Sequence, residues 1–499
     1  MITQQVSAAT FWQLSPMLVM LVGGLIFMMT GAMTRTVGRW QRGLVVTLYL
    51  VALGFVVRLW NFGGTPILHG MLVIDRFALF FTGVVTICAL GTVLISFHYV
   101  ERFGMNRGEF FSMLFFSTMG MVVLVSANDL ISVFVGIELM SLAIYVLVAF
   151  RRRDLLSNEA AFKYFVIGAF AIAFFLYGVS ILYGICGSTN FANIVRAVSE
   201  RGLAREPYFL LAVALILAGL GFKVSSVPFH MWTPDVYEGA PTPITSFMAT
   251  AVKAASFAAF LRLFYTCFME SQGQWAGLIT VLAVLTMTLG NVVALAQRNI
   301  KRMMAYSSIA HAGYIMIGLA ALSVDNTKAA TGIMYYVLVY AFMTLGAFAF
   351  ISAIEKRDMT RGLEEPDYAG LGLERPFLGL CMAGFMFALA GIPPTAGFFA
   401  KYYLFSAAVE EGMVGLAVIG VLNSALSLYY YLRVIVTLYM RKSEGPLQVH
   451  DDLGVRFVML VALLAVLWLG LGPAGVIPGV DDILQWTRIS IAGVAGLVP

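Results

Sequence analysis

The charges of this chain are spaced so that about fourteen apolar stretches of roughly 17 residues or more lie between them, each long enough to cross a bilayer as a helix. The stretches run over 16–33, 43–62, 74–98, 109–126, 128–150, 160–184, 208–236, 242–266, 275–296, 303–322, 328–353, 376–408, 413–440 and 456–473. Only 11% of the 499 residues are charged and 61% are hydrophobic, whereas soluble domains are about one quarter charged. No soluble core could absorb so much apolar sequence. Lipid admits only helices and closed barrels as spanning structures, and the runs are of helical length. The expected fold is an all-α membrane protein of about 14 transmembrane helices, one polytopic domain over 1–499.

Other function classes recede on the same grounds. The start, "MITQQVSAATFWQLS", has no basic residue before the first stretch. It does not read as a cleaved signal peptide, which needs a positive n-region. Cys88, Cys186, Cys267 and Cys381 are scattered without a C-x-x-C, so no iron–sulfur or zinc site is expected within the chain. "GLGPAG" at 470–475 fits G-x-G-x-x-G but closes an apolar stretch and follows no strand, so it is not a nucleotide fingerprint. With the N-terminus outside and sides alternating, the inner loops hold eighteen Lys and Arg residues, including Arg35, Arg151, Lys301, Arg357 and Arg361, and the outer loops five. That bias fits the positive-inside rule with both termini outside. The net charge of +5 therefore belongs to an inner rim and calls for no nucleic acid.

Eight basic residues remain in or near the stretches: Arg58, Arg76, Lys163, Lys223, Lys253, Arg262, Lys401 and Arg433. Arg58, Arg76 and Arg262 lie near span ends and Arg433 about two turns in, where snorkelling is expected. Lys163 is ambiguous. Lys223, Lys253 and Lys401 are not so easily explained, and Glu138 falls at the centre of 128–150. A cation at the centre of a span costs at least about 2.5–3.5 kcal/mol, and such groups mark ion or proton paths. A static Glu–Lys lock would account for one lysine and leave two without a carboxylate.

Two stretches are also broken, at Pro228 in "SSVPFHMW" and across "LAGIPPTAGFFAKYY" at 389–403. Proline removes a ladder donor and clashes with the preceding turn. Non-helical backbone at membrane depth survives only inside protein or beside water. Five stretches over about 109–266 match five over about 275–440, with the broken one fourth in each set. An odd number of spans per unit makes the two repeats inverted, with the transport site between them. Burial disfavours an ammonium ion and a nearby carboxylate favours it. Glu138 approaching or leaving Lys223 would switch that lysine between holding and releasing a proton.

"GFKVSSVPFHMWTPDVYEGAPTP", "FMATAVKAASF", "NIKRMMAYSSIAHAGY" and "GIPPTAGFFAKYY" resemble the antiporter-like subunits of respiratory complex I, NADH:quinone oxidoreductase, and their relatives in cation/proton antiporters. The resemblance covers nearly the whole chain. It is strongest to the N kind, because the L kind carries a long C-terminal lateral helix and the M kind a glutamate where this chain has Lys401. It implies a proton relay through Glu138, Lys223, Lys253 and Lys401. His311 matches a position where the N kind has histidine, and Lys163 is a weaker candidate for tuning Glu138 or Lys223. A lone histidine in an apolar helix packs as readily as it relays; its place between Lys253 and Lys401 in helix order makes it a candidate. Pro228, His230 and Asp235 match the broken-helix motif.

The resemblance also implies partners: other membrane and peripheral subunits of the complex, carrying NADH, FMN, iron–sulfur clusters and quinone, with no cofactor in this chain. It implies a bacterial cytoplasmic membrane. The rival readings are a cation/proton antiporter subunit, a subunit of a hydrogenase- or ferredoxin-linked membrane complex, and a purely structural scaffold. A subunit inventory of the purified complex separates the first two from the main reading, and pumping that survives alanine at Lys253 favours the scaffold.

Overall fold

The computed structural model describes residues 8–34, 36–62, 64–324, 326–356, 363–443, 449–450, 452–472 and 480–495. Arg35, Arg357, Arg361, residues 1–7 of the "MITQQVSAATFWQLS" start and the end of "GLGPAG" lie outside them. Thirteen of its helices are long and apolar enough to cross a membrane. In chain order the main helices are α1 (Ser15–Met33), α2 (Arg39–Leu59), α3 (Arg76–Arg102), α4 (Gly108–Val125), α5 (Leu130–Val148), α6 (Leu155–Cys186), α7 (Pro207–Val224), α8 (Thr233–Gly239) and α9 (Thr242–Thr266). Then follow α10 (Gln272–Ala296), α11 (Ile300–Ala320), α12 (Lys328–Ile354), α13 (Pro376–Ala390), α14 (Ala396–Glu410), α15 (Val414–Met440), α16 (Leu453–Leu471) and α17 (Val480–Ala495). A two-stranded hairpin, Pro66–Ile67 with Leu72–Val73, precedes α3.

The helices start where polar side chains cap them. Asp75, Asp129, Asp154, Asn299 and Asp452 accept hydrogen bonds from the first free amides of α3, α5, α6, α11 and α16, which satisfies donors a helix start leaves open. The core is the group α3, α9, α11 and α12; α9 is wholly buried, while α1, α2 and α6 are peripheral. Small residues in α9, "MATAVKAAS", let its neighbours approach closely.

Both predicted breaks are present. The first separates α7 from α8. Ser225 closes α7 in the left-handed region at φ 65° and the Val227–Pro228 bond is cis. The second divides the 376–408 stretch into α13 and α14. Gly391 closes α13 at φ 83° and Pro393–Pro394 is cis.

A third irregularity was not expected: a π-helical turn over Met248–Val252 inside α9, immediately before Lys253. Such turns are frequent at functional sites. Also unexpected is α17, packed against α3, α9 and α12 with Trp486 against Trp60.

Arg262 does not snorkel. It is 2% exposed and forms a bidentate pair with Asp75, Nη1–Oδ2 2.9 Å and Nη2–Oδ1 2.7 Å. Its guanidinium lies 4.6 Å from the Phe77 ring centroid. Arg58 is nearer the expectation, stacking on Trp12, whereas Arg433 turns inward to the Leu295 and Gln297 carbonyls.

Candidate functional site

Lys223, Lys253 and Lys401 are 3%, 2% and 4% exposed, and among the described residues none has a carboxylate oxygen within 4 Å. Each ammonium instead meets neutral acceptors and an aromatic face. Lys223, in the last turn of α7, donates to Ser141 Oγ on α5 at 2.8 Å. The Phe222, Tyr164 and Tyr145 ring centroids lie 5.2, 5.9 and 6.0 Å from its Nζ. Gly168 makes room for this box, since a Cβ there would sit 2.2 Å from the Tyr145 hydroxyl.

Lys253 follows the π turn and donates to Ser308 O at 2.6 Å and to Ser308 Oγ, with the Tyr340 ring 5.9 Å away. Lys401, in α14, reaches back across its break to carbonyls freed at the end of α13: Leu389 O at 3.1 Å and Ala390 O at 2.9 Å. It also donates to Ser424 Oγ on α15 at 2.8 Å and lies 5.1 Å from the Tyr314 ring. A Cβ at residue 391 would stand 3.1 Å from its Nζ, so Gly391 serves both the turn and the lysine. Lys223 precedes its break and Lys401 follows its own.

A ring face attracts a cation by about 0.5–2 kcal/mol, and the neutral carbonyl and hydroxyl oxygens accept hydrogen bonds without carrying a countercharge. Neither holds the proton as a carboxylate would.

His311 is buried on α11, its Nδ1 2.6 Å from the Tyr336 hydroxyl and its Nε2 3.0 Å from the Tyr431 hydroxyl. Tyr431 also bonds Ser307, the neighbour of the serine that holds Lys253. On the other side His311 meets the Tyr314 ring at 5.6 Å, and Tyr314 faces Lys401. Histidine and hydroxyls thus bridge the ground between the second and third lysines.

Glu138 is half-buried on α5, three residues before the serine that receives Lys223, and is not in contact with that lysine. It shares its face of α5 with the exposed Ile131, Val135, Leu142 and Val146. Lys163 joins neither Glu138 nor Lys223. It pairs with Glu159 at 2.6 Å and Asp235 at 2.7 Å, and Asp235 continues to Arg302 at 3.0 Å. Of the broken-helix motif, Asp235 is therefore in an ion-pair chain at the helix ends, and His230 Nδ1 is buried without a hydrogen-bond partner among the described residues.

Sequence reasoning missed the serines and tyrosines that receive the lysines, since hydroxyl residues in an apolar span have no distinctive period. "SSIAH" at 307–311 and "YYY" at 429–431 were the available signals. It also missed a buried knot at Glu355, which is 3% exposed. Arg151 Nη2 donates to its Oε1 at 2.7 Å, and the Tyr99 and Thr242 hydroxyls bond Oε2. Burial alone would push the Glu355 carboxyl up, but Arg151, Lys301 and the Thr242 hydroxyl hold it below the usual carboxylate range. Lys301, counted above as a loop residue, is 3% exposed and donates to Ala240 O at 2.8 Å. Among the described residues no cluster of His, Cys, Asp and Glu is placed to hold a metal ion.

Residues 127–427 match the family described as NADH:quinone oxidoreductase/Mrp antiporter, transmembrane. The chain is 48% identical over 419 residues to NADH-quinone oxidoreductase subunit N of Trichlorobacter lovleyi, covering 84% of each. It is 43% identical over 466 residues to subunit N 2 of Rhizobium meliloti, covering 93% of this chain and 96% of the relative. A chain of respiratory complex I from Thermus thermophilus superposes with a TM-score of 0.78 at 33% identity, covering 93% of this chain and 99% of that one. A chain of the Mrp complex from a Dietzia species shares the fold, with a TM-score of 0.83 at 20% identity.

Proposed function

The chain belongs to the subunit N family of NADH-quinone oxidoreductase, an antiporter-like membrane subunit, and on that premise we propose that it carries protons across the membrane through Glu138, Lys223, Lys253, His311 and Lys401. Quinone reduction in partner subunits drives the transfer, and NADH, FMN, the iron–sulfur clusters and the quinone site reside on those partners. The five spans over about 109–266, with α7 and α8 together as the broken fourth, and the five over about 275–440, with α13 and α14 together as theirs, act as inverted units around the relay. Lys163 tunes its entrance through Asp235 rather than through direct contact.

The observation that carries this reading is that three mid-span lysines, Lys223, Lys253 and Lys401, are buried without ion-pair partners among the described residues, whereas Lys301, buried likewise, lies in the first turn of α11. A structural cation would be expected to hold a carboxylate, because an unpaired buried charge is strongly destabilising. These lysines hold hydroxyls and carbonyls, and the hydroxyls can accept or donate a proton as the amine changes state. Transfer from Lys253 proceeds by Ser308 and Ser307 to Tyr431 and His311, and then past Tyr314 to Lys401. Glu138 acts on Lys223 through space from the adjacent turn of α5. Its carboxylate, approaching or leaving Lys223, biases the first lysine.

Glu138→Gln should therefore lower NADH-driven proton uptake in membrane vesicles, with the complex still assembled. Glu138→Asp should be milder, since it retains the charge and loses only reach. Equal damage from the two would point to packing and away from electrostatics.

The proposed orientation, in a bacterial cytoplasmic membrane, puts both termini outside and the 354–375 loop inside. All four native cysteines are buried and Glu364 is exposed. A thiol introduced by Glu364→Cys should react with a membrane-impermeant reagent in inverted vesicles and not in intact cells. Labelling in intact cells would reverse the topology.

A further inference from the structure

We propose that Asn291 is a positioning residue for Lys401 and acts through Tyr314: it ties the tyrosine hydroxyl away from the lysine, so that only the ring face meets the ammonium. The inference rests on the reading of Lys401 as a proton carrier.

Two glycines bring Asn291 and Tyr314 together. Helices α10 and α11 are consecutive and joined by a short turn. A Cβ at Gly290 would stand 2.6 Å from the Ala310 amide nitrogen, and one at Gly313 would stand 2.5 Å from that of Met287. The helices therefore meet backbone to backbone at this level, as small residues allow inside a membrane. The next residue on each helix is Asn291 or Tyr314, and both are 0% exposed.

The asparagine amide is fully engaged. Its Nδ2 donates to the Tyr314 hydroxyl at 2.9 Å and to Met287 O at 2.8 Å, and its Oδ1 accepts from the Tyr430 hydroxyl at 2.8 Å. The Tyr314 hydroxyl also bonds the Ser427 side chain on α15. Its oxygen is thus held by α10 and α15 together. What remains of Tyr314 for the relay is its ring, 5.1 Å from Lys401 Nζ and edge-on to His311 with the ring planes at 88°. An amide serves both tyrosines because it donates and accepts at once, and it does so without charge. A carboxylate in its place would favour the ammonium form of a nearby lysine. Released from Asn291, the phenol can turn about its side-chain torsions and carry its face off Lys401. The hold of the face on the proton, about two- to thirtyfold in occupancy, is then lost.

The test is made in the complete complex, with NADH-driven proton uptake in inverted vesicles normalised to assembled complex. Asn291→Leu, close in volume, should lower uptake below about half. Adding Tyr314→Phe should recover at least about half of that loss, because phenylalanine keeps the face and has no hydroxyl left to place. The Tyr430 hydroxyl keeps the side chains of Tyr431 and Ser427 in both variants. A merely structural role would give losses that add. Tyr314→Leu, which removes the face, should cost more uptake than Tyr314→Phe. Full uptake in Asn291→Leu would overturn the assignment, as would a double variant no better than the single. Equal losses from Tyr314→Phe and Tyr314→Leu would also overturn it, since the hydroxyl would then be the working part. Failure of Asn291→Leu to assemble would do the same, making Asn291 a residue that holds the bundle. Lys401→Ala is measured in parallel. If it stops uptake and Asn291→Leu does not lower it, the positioning role alone falls; if it pumps normally, the relay falls and the positioning role with it.

Discussion

Lys253→Arg should stop NADH-driven proton uptake nearly as completely as Lys253→Ala, a loss of at least about tenfold if proton transfer through this group limits the flux. The contrast separates charge from chemistry. Arginine keeps the positive charge and much of the volume but does not release its proton at accessible pH. A lysine kept only for its field would tolerate the exchange better than alanine. A lysine that loads and unloads would not. The surroundings of Lys253 sharpen the expectation, because its Nζ is held by the carbonyl and hydroxyl of one residue, Ser308. Those oxygens accept from an ammonium and, in the case of the hydroxyl, donate to an amine. A guanidinium placed there is a permanent donor to both. The same contrast should appear at Lys401, where two freed carbonyls and Ser424 hold the ammonium. Each variant should still assemble, since no charge is added to a helix that already inserts with one. Near-normal uptake in both arginine variants, normalised to assembled complex, would leave the lysines as field-setting charges.

The spans and the two breaks were legible because each is a local property of the chain. A run of apolar residues has a length, and Gly391, Pro393 and Pro394 interrupt a helix whatever surrounds them. The lysines were legible for the same reason: a charge at the centre of such a run is costly wherever the helix packs. What surrounds each lysine was not legible. Ser141 lies 82 residues from Lys223 and Ser308 lies 55 from Lys253, and those pairings exist only once helices have packed. The π turn before Lys253 leaves no mark in "MATAV". Helix α17 escaped notice because its 16 residues fall short of a span and carry charges. Lys163 was legible by position and not by partner. Its position just inside a span drew attention to Glu138 and Lys223, yet its partners Glu159 and Asp235 are at the helix ends, where long side chains reach polar company.

Arg262 is the residue whose loss should hurt assembly most. From sequence it stood near a span end and was read as reaching for the interface. In the structure it is buried against Asp75, 187 residues away, through two hydrogen bonds. Asp75 in turn caps α3 at the Ala78 amide, 2.7 Å away. One side chain therefore ties the end of α9 to the start of α3, and α9 is the helix that carries Lys253. Arg262→Ala would leave the Asp75 carboxylate buried with no counter-charge, a change that typically destabilises by about 3–5 kcal/mol. The expected result is a large fall in assembled complex in the membrane and a lowered midpoint of thermal aggregation for what remains. Asp75→Asn combined with Arg262→Met should recover much of the loss. Asparagine still caps α3, methionine fills most of the arginine volume, and no buried charge is left alone. A neutral pair replacing a buried ion pair is often tolerated for this reason. Wild-type assembly and thermal midpoint in Arg262→Ala would mean that Arg262 reaches the interface after all, and that the register of α3 on α9 is set elsewhere.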